Sequence, residues 1–257
     1  MQFFRKIFPA KKTVTNGLIG NMIIENHKLP IIVKENKKAK RIILRLSPDR
    51  AQVKVTVPVG CEKLELNSFI ENNRLWINNR IRKDVESGLV GKFTCQENGF
   101  ILFKGVKHQL VKGEGRGLTK VSVDKYGNPV IIIYGDERHW SRRIADFLKK
   151  EARKEIQSFV KIFSQKLGVS PTSLNYKDTK SRWGSCTSDG SLSFSWRIVM
   201  APPFVLKYLV AHEMSHLLEM NHSERFWKIC KKLDQNMEKG REWLKQHGYL
   251  LFKLEIS

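Results

Sequence analysis

The sequence lacks the features that would make its fold depend on anything other than a packed core. Four cysteines, at 61, 95, 186 and 230, stand far apart with no CxxC pair among them, which argues against a cysteine zinc knuckle or a disulfide framework. No stretch approaches the roughly 18 uninterrupted apolar residues of a spanning helix, and the apolar patch in MQFFRKIFPAKK is too short for a signal h-region. These absences set the expectation of a cytoplasmic protein in a reducing compartment, with no membrane partner. The chain also has no internal sequence repeat, no low-complexity tract, no P-loop and no Asp-rich magnesium motif. Its one Gly-rich loop, Gly113-Glu-Gly-Arg-Gly117, matches no phosphate-binding fingerprint, because no helix of the right spacing follows it.

Acidic residues are scarce as well, 25 against 47 Lys and Arg, for a net charge of +22. The excess is uneven: residues 171–257 hold 13 basic and 9 acidic side chains, which leaves +18 to residues 1–170. Such a field favours polyanions by counterion release, although a Lys-rich surface also serves solubility alone. What is present is a globular composition, 41% hydrophobic and 28% charged, in a chain long enough to bury one large core or two modest ones.

After an expected mobile leader (1–18), Ile19–Glu25, Leu29–Lys34, Lys40–Ser47 and Gln52–Pro58 read as short strands, the last two joined as a hairpin by Ser47-Pro48-Asp49-Arg50. Apolar positions from Leu64 to Ile81 then recur at helical intervals, which predicts one helix over about 62–87 closed by Gly88. Strands return at Phe100–Phe103, His108–Lys112, Lys120–Asp124 and Pro129–Tyr134. A long amphipathic helix runs from Trp140 to Leu167 and stops at Gly168. Strands around Leu174–Lys177 and Ser191–Trp196 precede a helix predicted from Pro203 to Met220, a second after Ser223 and a short one over about Lys239–His247. The reading is α+β: a basic, β-rich region over 19–136, then a helical catalytic region over 137–257.

His212-Glu213-Met214-Ser215-His216 is an HExxH motif. On a helix, residues i and i+4 lie about 40° apart around the axis and one turn along it, so two imidazoles can converge on one ion. Neutral imidazole suits zinc, and a catalytic zinc site usually has three protein ligands and an open position. His222 is the preferred third ligand, with Asn221 expected to turn the chain back in a left-handed conformation. Glu219 and Glu224 are rivals, but a side chain on the same straight helix does not easily reach back around the ion. Glu213 lies about 100° around the helix from His212, beside the ion and not on it, where it can take a proton from zinc-bound water. His27, His108, His139 and His247 lie in unrelated segments and read as ordinary surface residues.

Three blocks give a more specific signal: Arg182-Trp-Gly-Ser-Cys186, then Trp196-Arg197 leading into Ala201-Pro202-Pro203, then His212 through Asn221-His222-Ser223 to Phe226-Trp227. With these the sequence resembles the YgjP-like metallopeptidase family, relatives of the SprT-like and other zincin proteases, and the resemblance extends over about 40–250. It implies a zincin-type α+β fold, with His212, His216 and His222 as metal ligands and Glu213 as general base. Metzincin proteases also place their third histidine where His222 falls. They have Gly where this chain has Glu219, however, and no equivalent of their Met-turn is found.

The leading expectation is a zinc metallopeptidase acting on protein or peptide substrates, with Ser191–Trp196 as the strand edge that pairs with an extended chain. Arg182–Cys186 could be a strand beside the metal-bearing helix that binds an extended peptide by edge pairing, but packing accounts for the block as well, with Trp183 as a core aromatic and Gly184 as a close backbone approach. Tyr208, Arg182 and Arg197 are the candidates for oxyanion stabilisation. Two alternatives remain: a metal-dependent nucleotide phosphohydrolase, and a nucleic-acid-associated protein whose Arg74-Leu-Trp76-Ile-Asn-Asn-Arg80-Ile-Arg82-Lys83 segment mixes cations with an aromatic. Trp76 also fits a core position on an amphipathic helix.

Overall fold

A computed structural model describes residues 14, 16–24, 27–86, 93–95, 99–179 and 182–255 of the chain. They fall into two compact units, one within residues 1–92 and one within 93–257. Composition and element pattern place the division at 136/137 instead. The structural line falls earlier because Cys95, Ile101, Phe103, Ile131 and Ile133 share one core with Trp140, Ile144, Phe147 and the helices beyond them.

In the first unit, β1 (Gly17–Ile24), β2 (His27–Glu35), β3 (Ile43–Leu46) and β4 (Val53–Val57) form a sheet of order β1-β2-β4-β3. Two antiparallel hairpins, β1/β2 and β3/β4, lie side by side through the parallel pair β2/β4. Strand alternation turns Leu29, Ile31, Val33, Val53, Val55 and Val57 inward, where they pack with Leu66, Ile70, Ile77 and Ile81 of two helices. Those are α1 (Lys63–Asn72) and α2 (Arg74–Glu86), where a single helix was expected. The break falls at Asn73, whose side-chain amide donates to the Phe69 carbonyl at 2.8 Å and so competes with the helical ladder. Gly88, expected to close the run, lies outside the described residues. Trp76 is 41% exposed, with the Arg80 guanidinium 5.0 Å from its ring, while its neighbour Ile77 takes the core position. Most of the expected leader is outside the described residues, but Val14 is buried and bonded to the Cys61 carbonyl, and β1 already begins at Gly17.

The second unit starts with β5 (Phe93–Thr94) and a four-stranded sheet of β6 (Phe100–Phe103), β7 (Val106–Gly113), β8 (Lys120–Val123) and β9 (Pro129–Tyr134). Its order, β6-β7-β9-β8, with a parallel central pair between two antiparallel hairpins, repeats the topology of the first sheet without any repeat in sequence. α3 (Trp140–Leu167) follows, burying Ile144, Leu148, Ala152, Ile156 and Phe163 along one face and ending at Gly168, whose φ of 73° needs the freedom of glycine. A three-stranded sheet of β10 (Ser173–Lys177), β11 (Gly184–Cys186) and β12 (Ser191–Ser195) leads into a 3-10 turn at Trp196–Met200. After it come α4 (Pro203–Ser215), α5 (Glu224–Leu233), α6 (Met237–His247) and β13 (Leu254–Glu255), which pairs in parallel with β5. The class is α+β, as read from the sequence.

Several contacts fix α4, the helix that carries the HExxH histidines. Pro203 sits at its first turn, where a missing N–H costs nothing. The β6–β7 turn docks just before it: the N–H groups of Lys104 and Gly105 donate to the carbonyls of Val199 and Met200, both at 2.9 Å. A Cβ on Gly105 would lie 2.7 Å from Pro202 Cγ, so no other residue fits there. On another side α6 crosses so closely that a Cβ at Gly240 would be 2.8 Å from Tyr208 Cγ. Gly240→Ala is therefore expected to destabilise the protein by about 1–3 kcal/mol through overpacking, read as a lower thermal midpoint.

Candidate metal centre

α4 ends at Ser215, not at Met220, so His212 lies on its last turn and His216 caps it with φ −66° and ψ −18°. Beyond, the N–H groups of Leu218 and Glu219 both donate to the Ser215 carbonyl at 3.1 Å, which winds the chain off the helix. The return to the site is a tight turn centred on His222, closed by the Ser223 N–H donating to the Asn221 carbonyl at 2.8 Å. Asn221 is not left-handed: among the described residues other than glycine, only Arg50 and Lys104 have positive φ. Ser223 then caps α5, its hydroxyl accepting from the Phe226 N–H at 3.3 Å.

One donor atom from each of His212, His216 and His222 lies within 4.8 Å of the others, and the Nε2 atoms of His212 and His222 are 3.1 Å apart. His216 Nδ1 faces the Glu219 carbonyl at 3.1 Å, a contact that fixes the ring and leaves Nε2 for the shared centre. Among the described residues this is the one group of three or more His, Cys, Asp or Glu able to hold a metal. Of the rival ligands, Glu219 directs its carboxylate to Arg225 at 4.0 Å, and Glu224 is an exposed residue of the first turn of α5. Three converging imidazoles with no carboxylate among them fit a borderline-soft ion such as zinc and not a hard calcium or magnesium ion.

The YgjP-like family, described as a YgjP-like metallopeptidase domain, matches residues 40–247. The chain belongs to this family. No curated protein and no solved structure matches it. Membership supports a metal-dependent peptidase in general, and in this YgjP-like chain Gly184 of the first block lies against Glu213 of the third.

Glu213 is 5% exposed, and the surface that buries it includes β11. A Cβ on Gly184 would lie 2.5 Å from Glu213 Oε1 and 2.6 Å from its Cγ, so glycine is what lets this strand lie against the carboxylate. Burial pushes the Glu213 carboxyl up to about 8, opposed by the positive charge of Arg182. A cation bound nearby would pull it back toward the ionised form that a base requires. Burial, then the charges of His216, His222 and Arg241, lower His212 to about 3, and burial also lowers His216. Both rings are thus neutral near pH 7, ready to donate a lone pair. His212 Nδ1 is a buried nitrogen without a hydrogen-bond partner in the protein.

The Phe226 ring is the floor of the site, 4.5 to 4.9 Å from all three imidazoles, a role that its place in the sequence block does not signal. Trp227 stands at 5.6 Å from His222 and carries Arg241 over its ring at 4.8 Å. Trp183 is half-buried and stacks on Phe252 at 4.4 Å, consistent with packing. Arg197 is not available for an oxyanion: it is bidentate to Asp178 at 2.6 and 3.0 Å, and its Nη1 donates to the Leu251 and Leu254 carbonyls. The Ser191–Trp196 strand is not an edge either, since β12 lies between β10 and β11. Among the described residues the edge strand beside Glu213 is β11, within the Arg182–Cys186 block. His108 is buried, not a surface residue, with its ring edge-on to Phe103 at 5.6 Å.

Proposed function

We propose that the chain is a zinc metallopeptidase in which His212, His216 and His222 hold the ion and Glu213 is the general base. The observation that carries this reading is the convergence of three imidazoles within 4.8 Å, with the Glu213 carboxylate on the same turn of helix. Zinc, when bound, supplies Lewis acidity that polarises a carbonyl and lowers the pKa of a coordinated water. Glu213 accepts the proton of the attacking water and returns it to the leaving amine, and Gly184 keeps its carboxylate from turning away. Arg182 is exposed and its charge opposes the effect of burial on Glu213, so, with Arg197 held by Asp178, we assign it as the cation for a developing oxyanion. Burial holds Tyr208 up to about 12, so its hydroxyl stays a neutral donor beside His212. The open edge of β11 is where an extended peptide would add by main-chain pairing, which favours flexible substrates over any one sequence.

Elemental analysis of untagged protein tests the ligand set. The expected content is about one zinc per chain. His222→Ala should lose most of it, whereas Glu219→Ala should keep nearly all, because its carboxylate points to Arg225. A metal content near zero that added zinc cannot raise would refute the proposal.

A further inference from the structure

The solvent face of the first sheet carries charge of one sign. Because the inward positions of β2 and β4 go to the core, Lys28 and Lys34 on β2, Lys54 on β4 and Arg45 on β3 share the outer face, and all four are exposed. The register sets Arg45 directly opposite Lys54, with Ile32 on the far side of Lys54, and the next row reads Ile43, Thr56, Lys34. Like charges opposed across a ladder destabilise a sheet, and none of the four has an ion-pair partner among the described residues. Beyond Lys34, the β2–β3 connection adds Lys37, Lys38, Lys40 and Arg41, all exposed. Residues 27–57 hold nine Lys and Arg against two acids, Glu35 and Asp49, and Asp49 is buried, accepting from the Ser47 hydroxyl and the Ala51 N–H.

In the second sheet, of the same topology, Lys112 pairs with Glu137 at 3.7 Å, Lys107 lies over the Phe100 ring at 3.7 Å, and Lys120 faces Ile132 across the ladder instead of another cation. Opposed cations without an ion-pair partner among the described residues therefore do not follow from the fold. They keep a repulsion that a bound polyanion would relieve.

We propose that this face binds the phosphate backbone of duplex nucleic acid. Arg45 and Lys54 lie about 5 Å apart across the ladder, Lys34 stands one outward row on from Lys54, about 7 Å along the strands, and Lys28 lies six residues, roughly 20 Å, from Lys34 on β2, so the cations spread over the face against a duplex that carries one phosphate per ~1.7 Å of axis. The apolar residues between them are Ile23, Pro30, Ile32 and Ile43, with no aromatic side chain among the described residues of this face on which an unpaired base could stack, so the array reads backbone and not bases. Trp76 belongs to the helical layer behind the sheet and takes no part.

The test is fluorescence anisotropy of a short labelled duplex with the full chain, across a salt series. It is independent of the metal site. Binding should weaken linearly in the logarithm of salt, and a K34Q/R45Q/K54Q variant should lose roughly tenfold or more in affinity at low salt, its slope shallower by about 2.7. The charge-preserving variant Lys34→Arg/Lys54→Arg should bind like the wild type, and the triple variant should melt no lower, since the Arg45–Lys54 repulsion is gone. Should the triple variant fail to fold, Lys54→Gln alone should show a slope shallower by about 0.9. Unchanged affinity and slope in the glutamine variants would overturn the proposal, as would tighter binding of a single strand, or binding of phosphatidylserine vesicles without any binding of duplex.

Discussion

Glu213→Gln is expected to remove on the order of 10²–10⁴-fold of the hydrolytic rate while leaving metal content and fold unchanged. The amide matches the carboxylate in shape, and the pocket that buries Glu213 to 5% exposure disfavours its charge, so the variant should be at least as stable as the wild type. What it cannot do is accept the proton of the attacking water. The informative readout is therefore the pair of measurements: zinc retained, turnover lost. Loss of zinc would make Glu213 a ligand, which its distance around the helix from His212 argues against, and full activity would put the base elsewhere.

Gly184→Ala should produce the second large effect, and from a residue with no functional group. The new Cβ would be 2.5 Å from Glu213 Oε1 and 2.7 Å from its Cδ, and Glu213 is too buried to swing aside. Either the carboxylate or β11 must shift. A displacement of about an ångström at a catalytic base costs on the order of 10²-fold in rate, and the overpacking itself about 1–3 kcal/mol. Zinc content should stay near wild type, because the three atoms nearest the new methyl group all belong to Glu213 and none to a histidine. The expected signature is a lower kcat and a lower thermal midpoint at constant metal. A variant with wild-type kcat would mean that the carboxylate has room to move and that the close approach of β11 is incidental.

How much of this was legible in the sequence follows the distance over which each signal acts. The HExxH pair is a local feature, set by the pitch of a helix, and His222 could be nominated because only a few residues separate it from His216. The geometry between them was not readable: the helix stops at Ser215, and the chain turns at His222 itself and not through a left-handed Asn221. Gly184 could be read as a close approach, but not as an approach to Glu213, since that contact joins residues 29 positions apart through tertiary packing. Arg197 resembled a catalytic cation because nothing local shows that Asp178 and the last residues of the chain consume its donors. Trp76 misled for a related reason: a tryptophan on an apolar helix suggests a core position, whereas Ile77 fills it and leaves Trp76 with Arg80 at the surface. The repeated sheet topology left no trace in the residues, because alternation specifies which face is buried and not which strands pair.

The most direct test of the metallopeptidase reading is a mass-spectrometric assay of zinc-loaded protein with an unfolded polypeptide and a nucleoside triphosphate in the same tube, run beside Glu213→Gln. The account predicts new peptide termini with the wild type, none with the variant, and an intact nucleotide in both. Release of phosphate or pyrophosphate that depends on Glu213, with the polypeptide uncut, would contradict it.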